Sequence, residues 1–158
     1  MAIRNKGNLS ELKARMNAVK VRIDRAIFFR LSFIGEKLVN YARSITADIG
    51  YTDQTGNLRS STGYIIVKDG IVLKSDFDEI QGPVASIIDG KSVGLNHAIS
   101  IALKHPVGYV LIVVAGMDYA FAVESRGKDV LTTTEYLANE EIPKELRKLR
   151  EQIKRMKL

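Results

Sequence analysis

Apolar residues recur at three- and four-residue steps along the first third of the chain: Leu12, Met16, Val19, Ile23, Ile27, Leu31, Ile34, Leu38, Ala42 and Ile45. That is the period of one buried helix face, and it predicts a single helix over residues 9–47. Asn8 with Glu11 three residues later reads as a capping box at its start. Gly35 is the one weak position, costing ~1 kcal/mol against alanine, and Gly50 is the natural stop. At 1.5 Å per residue such a helix is roughly 55 Å long. It outgrows a small domain, so part of it must project, bend or pack on another subunit. Phe28, Phe29 and Phe33 widen the apolar surface beyond one stripe, serving either a core or a seat for a neighbouring subunit.

The period then changes. Residues 51–60 are polar and contain Gly56, which predicts a loop or a short helical turn in which Thr55 caps the following amides. Leu58 is expected to anchor this turn inward while Arg59 points out. Tyr64–Lys68 and Ile71–Ser75 read as two strands joined by Asp69-Gly70, a hairpin signal because a type I′ turn needs positive φ at both central positions. Residues 76–94 read as loop with room for one short element. Leu95, Ala98, Ile99, Ala102 and Leu103 predict a helix over 96–104, ended by His105-Pro106. Val107–Val114 has the length and β-branching of a buried strand. Gly116 breaks it, Asp118 is placed to cap a short helix carrying Tyr119, Ala120, Val123 and Glu124, and Gly127 stops that helix. Thr132-Thr133-Thr134 has a helix-start composition, and Pro143 suits the first turn of a final helix with Leu146, Leu149, Ile153 and Met156 on one edge. The order is a long helix (8–48), a β-rich middle (61–117) and a helical C-terminal part (118–158). The fold class expected is α+β, in one domain: the long N-terminal helix packed on a small, mostly antiparallel sheet.

At 158 residues, 46% hydrophobic and 27% charged, the chain has enough apolar material for a real core. It has no cysteine, which excludes disulfides and thiolate metal sites. Met1–Gly7 lacks a signal-peptide apolar core, and the Val110–Ala115 run falls far short of the roughly 20 residues that span a bilayer. A soluble, non-secreted chain with no membrane partner is expected. The net charge of +6 is concentrated at the ends: residues 1–43 carry ten Lys or Arg against Glu11, Asp24 and Glu36, and residues 144–158 carry seven basic and two acidic residues. Such ends could meet nucleic acid, an acidic protein surface or water.

Catalytic constellations are hard to find. Gly56, Gly63 and Gly70 lack the spacing and the Lys-Ser/Thr ending of a phosphate loop. Asp76, Asp78 and Glu79 lack the glycine and terminal glutamate of a calcium loop. His97 and His105, eight residues apart, make a weak metal pair. Ser60, Ser61 and Thr62 read as turn and strand-start hydroxyls, with no base marked nearby. Tyr51, Tyr64, Tyr109 and Tyr119 could stack on bases beside the basic helix, although three of the four fall at positions suited to core packing. No enzyme activity and no cofactor or metal are expected.

Two short motifs remain. Thr55, Gly56, Leu58, Arg59 and Ser61 form a Thr-Gly-x-Leu-Arg-x-Ser turn before the hairpin, and Tyr119, Ala120, Val123 and Glu124 follow the apolar strand. Their order and separation, behind a long basic helix, resemble the minor tail components, or tail-completion proteins, of long-tailed bacteriophages. The resemblance spans most of residues 8–158; residues 76–106 look expanded against the simplest members. It implies a virion structural protein of the neck or tail, assembled in the bacterial host cytoplasm. It further implies a hexamer-like ring of identical copies at the head-proximal end of the tail, contacting other neck or tail-tube proteins and letting DNA pass without reading its sequence. On that reading Arg59 and Glu124 fix local geometry or a contact between neighbours. The alternative is a small basic nucleic-acid-binding protein.

Overall fold

The computed structural model describes residues 8–156, so Met1–Gly7, with Arg4 and Lys6, and Lys157 and Leu158 at the other end lie outside the described residues. The fold is α+β. The first helix, α1 (Leu9–Ser44), opens where the sequence places it, with the Asn8 side chain accepting from the Ser10 amide at 3.2 Å. The reciprocal half of the box does not form: Glu11 pairs with Arg15 one turn on. The helix ends three residues earlier than its periodicity suggests, at Ser44. Only the stripe from Ala26 onward is buried; Leu9, Leu12 and Met16 are 63%, 51% and 55% exposed. The first half of α1 thus extends beyond its own core as an apolar-striped, basic arm. Gly35 is explained by packing, since a Cβ there would come within 2.6 Å of the Tyr64 ring.

A four-residue helix, α2 (Asn57–Ser60), precedes β1 (Thr62–Lys68), which forms a hairpin with β2 (Ile71–Asp76). Asp69 and Gly70 adopt φ of 51° and 78°, as the type I′ turn requires. The turn is tied to the segment before the third strand by the Asp69 amide donating to the Gly108 carbonyl at 3.0 Å and the Gly108 amide donating to the Asp69 carboxylate at 2.8 Å. That strand, β3 (Tyr109–Ala115), pairs antiparallel with the other side of β1, giving the order β2-β1-β3 with both outer strands open.

Alternation along β1 sorts side chains to two faces. Tyr64 and Ile66 meet α1 together with Val39, Phe28, Leu31, Leu111 and Val113. Ile65 and Val67 pack with Ile112, Val114 and Phe77 against α3 (Gly90–Ala102) through its Ala98 and Ala102. The start of α3 corrects the sequence reading by six residues. Asp89 caps it, accepting from the Ser92 amide at 3.1 Å, but Gly90 and Gly94 are poor helix formers and hide its first turns. Gly94 is there because a Cβ would lie 2.4 Å from the Ser61 carbonyl.

The short helix α4 (Ala120–Ser125) begins after Tyr119 without a side-chain cap, so Asp118 does not play the role expected of it. The final helix, α5 (Thr132–Lys154), runs unbroken through Pro143, which sits mid-helix rather than at a first turn. Two ion pairs to α1 flank the proline: Lys37 to Glu141 and Arg30 to Glu145, each at 2.5 Å. They also show that α5 runs antiparallel to α1. Tertiary packing on both sides of an exposed proline outweighs the one backbone hydrogen bond it removes. Among the described residues no helix is long and apolar enough to cross a membrane.

Candidate functional site

The two sequence motifs, more than fifty residues apart, meet at one end of the sheet. Leu58 from the first and Ala120 and Val123 from the second pack in one apolar cluster with Met117, Val130, Tyr51 and Leu131. The Gly116 amide donates to the Ser61 carbonyl at 3.1 Å, continuing the β1–β3 pairing past its end.

Gly56 adopts φ +80° and its amide donates to Asp53 at 2.9 Å; Asp53 also accepts from the Arg59 amide at 2.8 Å. The Thr55 hydroxyl accepts from the Asn57 amide at 3.3 Å, as the sequence suggests, and Leu58 is buried. Arg59 does not point out. Its guanidinium turns under α1, donating to the carbonyls of Arg43 at 2.9 Å and Ile45 at 3.2 Å, with the Tyr51 ring 5.5 Å away. A cation on the last carbonyls of a helix satisfies orphan acceptors and complements the negative end of its dipole. Burial and then the Asp53 charge push the Tyr51 phenol up to about 12, against the opposing Arg59.

Glu124 does the converse for α5. One carboxylate oxygen accepts from the Leu131 amide at 2.9 Å, the Thr132 amide at 2.8 Å and the Thr132 hydroxyl at 2.8 Å. Asp129 adds a bond from the Thr133 amide. Burial pushes the Glu124 carboxyl up, but the bonds from Leu131 and Thr132 outweigh it and hold it below its ordinary 4.5. Because α1 and α5 are antiparallel, a basic residue of one motif closes the end of α1 and an acidic residue of the other opens α5 at the same end of the helix pair.

A group with a depressed folded pKa contributes stability above its unfolded pKa, and that contribution is lost as pH falls through the folded value. Replacing Glu124 by Gln is therefore expected to cost about 1–2 kcal/mol at pH 7. The gap between the two proteins should close as pH is lowered from 4.5 toward 3. Urea unfolding at a series of pH values measures it; a gap that is constant with pH would mean the carboxylate charge is not what holds α5.

Compared with family models, with curated proteins and with solved structures, this chain matches none.

The remaining candidates fall into place as follows. Phe28 packs on the sheet, whereas Phe29, edge-on to it at 5.9 Å, is 62% exposed. Tyr119 is part-exposed beside the motif joint; burial and then the Asp53 charge push its phenol up. Tyr64 is fully buried, and Tyr109 donates to Asp24 at 3.1 Å beneath Lys68. Ser61 and Thr62 both donate to the Leu58 carbonyl, and Ser60 exchanges bonds with the Ile80 backbone. Asp78 pairs with Arg43, and among the described residues no three His, Asp or Glu side chains cluster as a metal would need. A cavity of about 730 Å³ lies between the Thr55–Ser60 turn and residues 79–91. Its polar groups largely pair with one another, Asn57 donating to Ser86 at 2.7 Å and the Val84 amide to the Gln54 carbonyl at 2.9 Å. Asp53, the residue that organises the turn, carries no mark in the sequence beyond its position three residues before Gly56.

Proposed function

We propose that this chain is a structural protein of the neck or tail of a tailed bacteriophage, acting by assembly into a ring at the head-proximal end of the tail. The observation that carries this reading is the arm of α1. Leu9, Leu12 and Met16 form an apolar stripe with no core of their own chain beneath it, and Phe29 and Phe33 add exposed rings farther along. Apolar surface arranged on one extended helix suits contact with another subunit. The polar groups of both motifs are engaged in holding helix ends, so they suit a scaffold better than a reacting centre. The basic residues of the arm, Lys13, Arg15, Lys20, Arg22 and Arg25, suit a lumen that passes DNA without reading it. In the nucleic-acid-binding alternative, tyrosines would lie exposed beside those cations; Tyr64 is instead buried and the Tyr109 hydroxyl is tied to Asp24, while Tyr119, though exposed, lies at the motif joint rather than beside the arm.

Light scattering coupled to size exclusion, across a concentration series and with purified neck or tail-tube proteins added, tests the proposal. A discrete closed oligomer in either setting is the expected result. A chain that stays monomeric in both would overturn it, and salt-dependent binding to DNA of arbitrary sequence would then favour the alternative.

A further inference from the structure

The two basic stretches of the chain meet at one end of the molecule. Lys68, at the far end of β1, pairs with Asp24, so residues 9–23 of α1 lie beyond the sheet as an arm roughly 20 Å long. The antiparallel α5 brings its last turns alongside. Residues 9–30 and 144–156 together carry twelve Lys or Arg against four acids, whereas residues 31–143 carry fourteen acids against nine Lys or Arg. The arm also repeats apolar residues in alternating steps of three and four: Leu9, Leu12, Met16, Val19, Ile23 and Ala26. That is the seam of a helix that packs along another surface. Burial rises along it, the first three being exposed, Val19 and Ile23 half-buried and Ala26 buried. Written as heptads with Leu9 at a, Lys13 and Lys20 take the e positions and Arg15 and Arg22 the g positions, so cations border the seam on both sides.

The opposite end of the molecule has the complementary character. Residues 76–90 carry Asp76, Asp78, Glu79 and Asp89 and no Lys or Arg. The segment exposes Val84, Ile87 and Ile88, Ile87 fully, around the cavity of about 730 Å³ beside the Thr55–Ser60 turn. Arg43 pairs with Asp78, which fixes this segment at the C-terminal end of α1, roughly 50 Å from Leu9. With an unbroken helix between them, the arm cannot reach the loop of its own chain.

We infer that copies of this chain join head to tail, the arm of one copy docking its seam on the acidic 76–90 segment of the next. Leu9, Leu12 and Met16 then meet Val84, Ile87 and Ile88, and the bordering cations face Asp76 and Glu79. This joint rests on the ring reading above and gives the arm its partner surface. Charge selects the occupant. Two arms laid together would oppose Lys and Arg at the e and g positions, which rejects a tip-to-tip pair. A phosphate backbone would answer the cations but leave the apolar row in water. The 76–90 segment answers both. A joint between opposite ends is heterologous and repeats, so it closes into a ring or continues as a filament. Arg150 and Arg155, exposed on α5, take no part in it and leave a basic face for DNA.

Charge reversal in the full chain tests the joint. One variant carries Lys13→Glu with Lys20→Glu, the other Asp76→Lys with Glu79→Lys. Asp78 and Asp89 stay intact because they pair with Arg43 and cap α3. Each variant alone is expected to be monomeric by light scattering where the unaltered chain, alone or with neck or tail-tube proteins, is a closed oligomer, with unchanged circular dichroism. Mixed in equal amounts, the two are expected to regain an oligomer, since every arm then meets a loop of opposite charge. A variant that keeps the oligomer mass, or a mixture that stays monomeric, would overturn the arm-to-loop joint and leave the ring reading standing. So would an arm variant whose only change is weaker binding to duplex DNA. An unaltered chain that is monomeric in both settings overturns both.

Discussion

Replacing Gly56 by Ala is expected to destabilise the protein by roughly 3 kcal/mol or more, a large share of the roughly 5–15 kcal/mol that holds a domain of ordinary stability. Two independent terms add. The backbone at Gly56 sits at φ +80°, where an L side chain costs roughly 1–2 kcal/mol. A Cβ would also lie 1.9 Å from the Ile80 carbonyl oxygen and 2.7 Å from the Gly82 amide nitrogen. Those atoms are backbone, and they are anchored. The Gly82 amide donates to the Thr55 carbonyl at 3.2 Å, and Ile80 is clamped at both backbone groups by the Ser60 hydroxyl. Relief of the clash therefore needs the 79–91 loop to detach from the turn, taking with it bonds that fix the start of β1. Chemical denaturation followed by circular dichroism reads the loss directly. A cost under 1 kcal/mol would mean that the loop yields freely and that the Thr55–Ser60 turn does not organise its surroundings.

That position also marks how far the sequence alone reaches. Local rules act through a few neighbouring residues, and where a local rule decides the outcome the sequence is legible. The Asp69-Gly70 hairpin, the Asn8 cap, the burial of Leu58 and the helical period of α1 all appear in the structure. Where a distant segment decides, the local reading goes astray. Pro143 looks like a helix start, yet Arg30 and Lys37 hold α5 continuous on both sides of it. Asp89-Gly90-Lys91 looks like a loop, but the carbonyl of Ser61 requires glycine at position 94 and the first turns of α3 form regardless of propensity. Asp118 has a capping side chain that is not used. Arg59 looks like a surface cation because nothing in residues 51–60 reveals that the end of α1 lies above it. The motif residues themselves could be picked out from the chain. That Arg59 holds the C-terminus of α1 and Glu124 the N-terminus of α5 at the same end of an antiparallel helix pair could not, since the pairing of α1 with α5 spans more than a hundred residues.

Arg59→Ala is expected to lower stability by about 2–3 kcal/mol and, at the same time, to leave the mass of any oligomer unchanged once the protein is folded. The guanidinium makes two charge-assisted bonds to the carbonyls of Arg43 and Ile45, at the point where α1 gives way to the chain that leads into the first motif. Removing it leaves those acceptors to water or to nothing, withdraws a positive charge from the negative end of a 36-residue helix, and strips the partner from the face of Tyr51. Lysine cannot replace it well: one ammonium on a flexible stem does not reach two carbonyls in the fixed fork that arginine presents. Arg59→Lys should therefore recover less than half of the loss. The alternative role for this residue, a contact between neighbouring copies, makes the opposite forecast, with a near-normal melting midpoint and a shift of the oligomer toward monomer. Thermal unfolding and light scattering on the same samples separate the two. A loss of assembly without a loss of stability would move Arg59 from the end of its own helix to the interface, and with it the first motif from scaffold to joint.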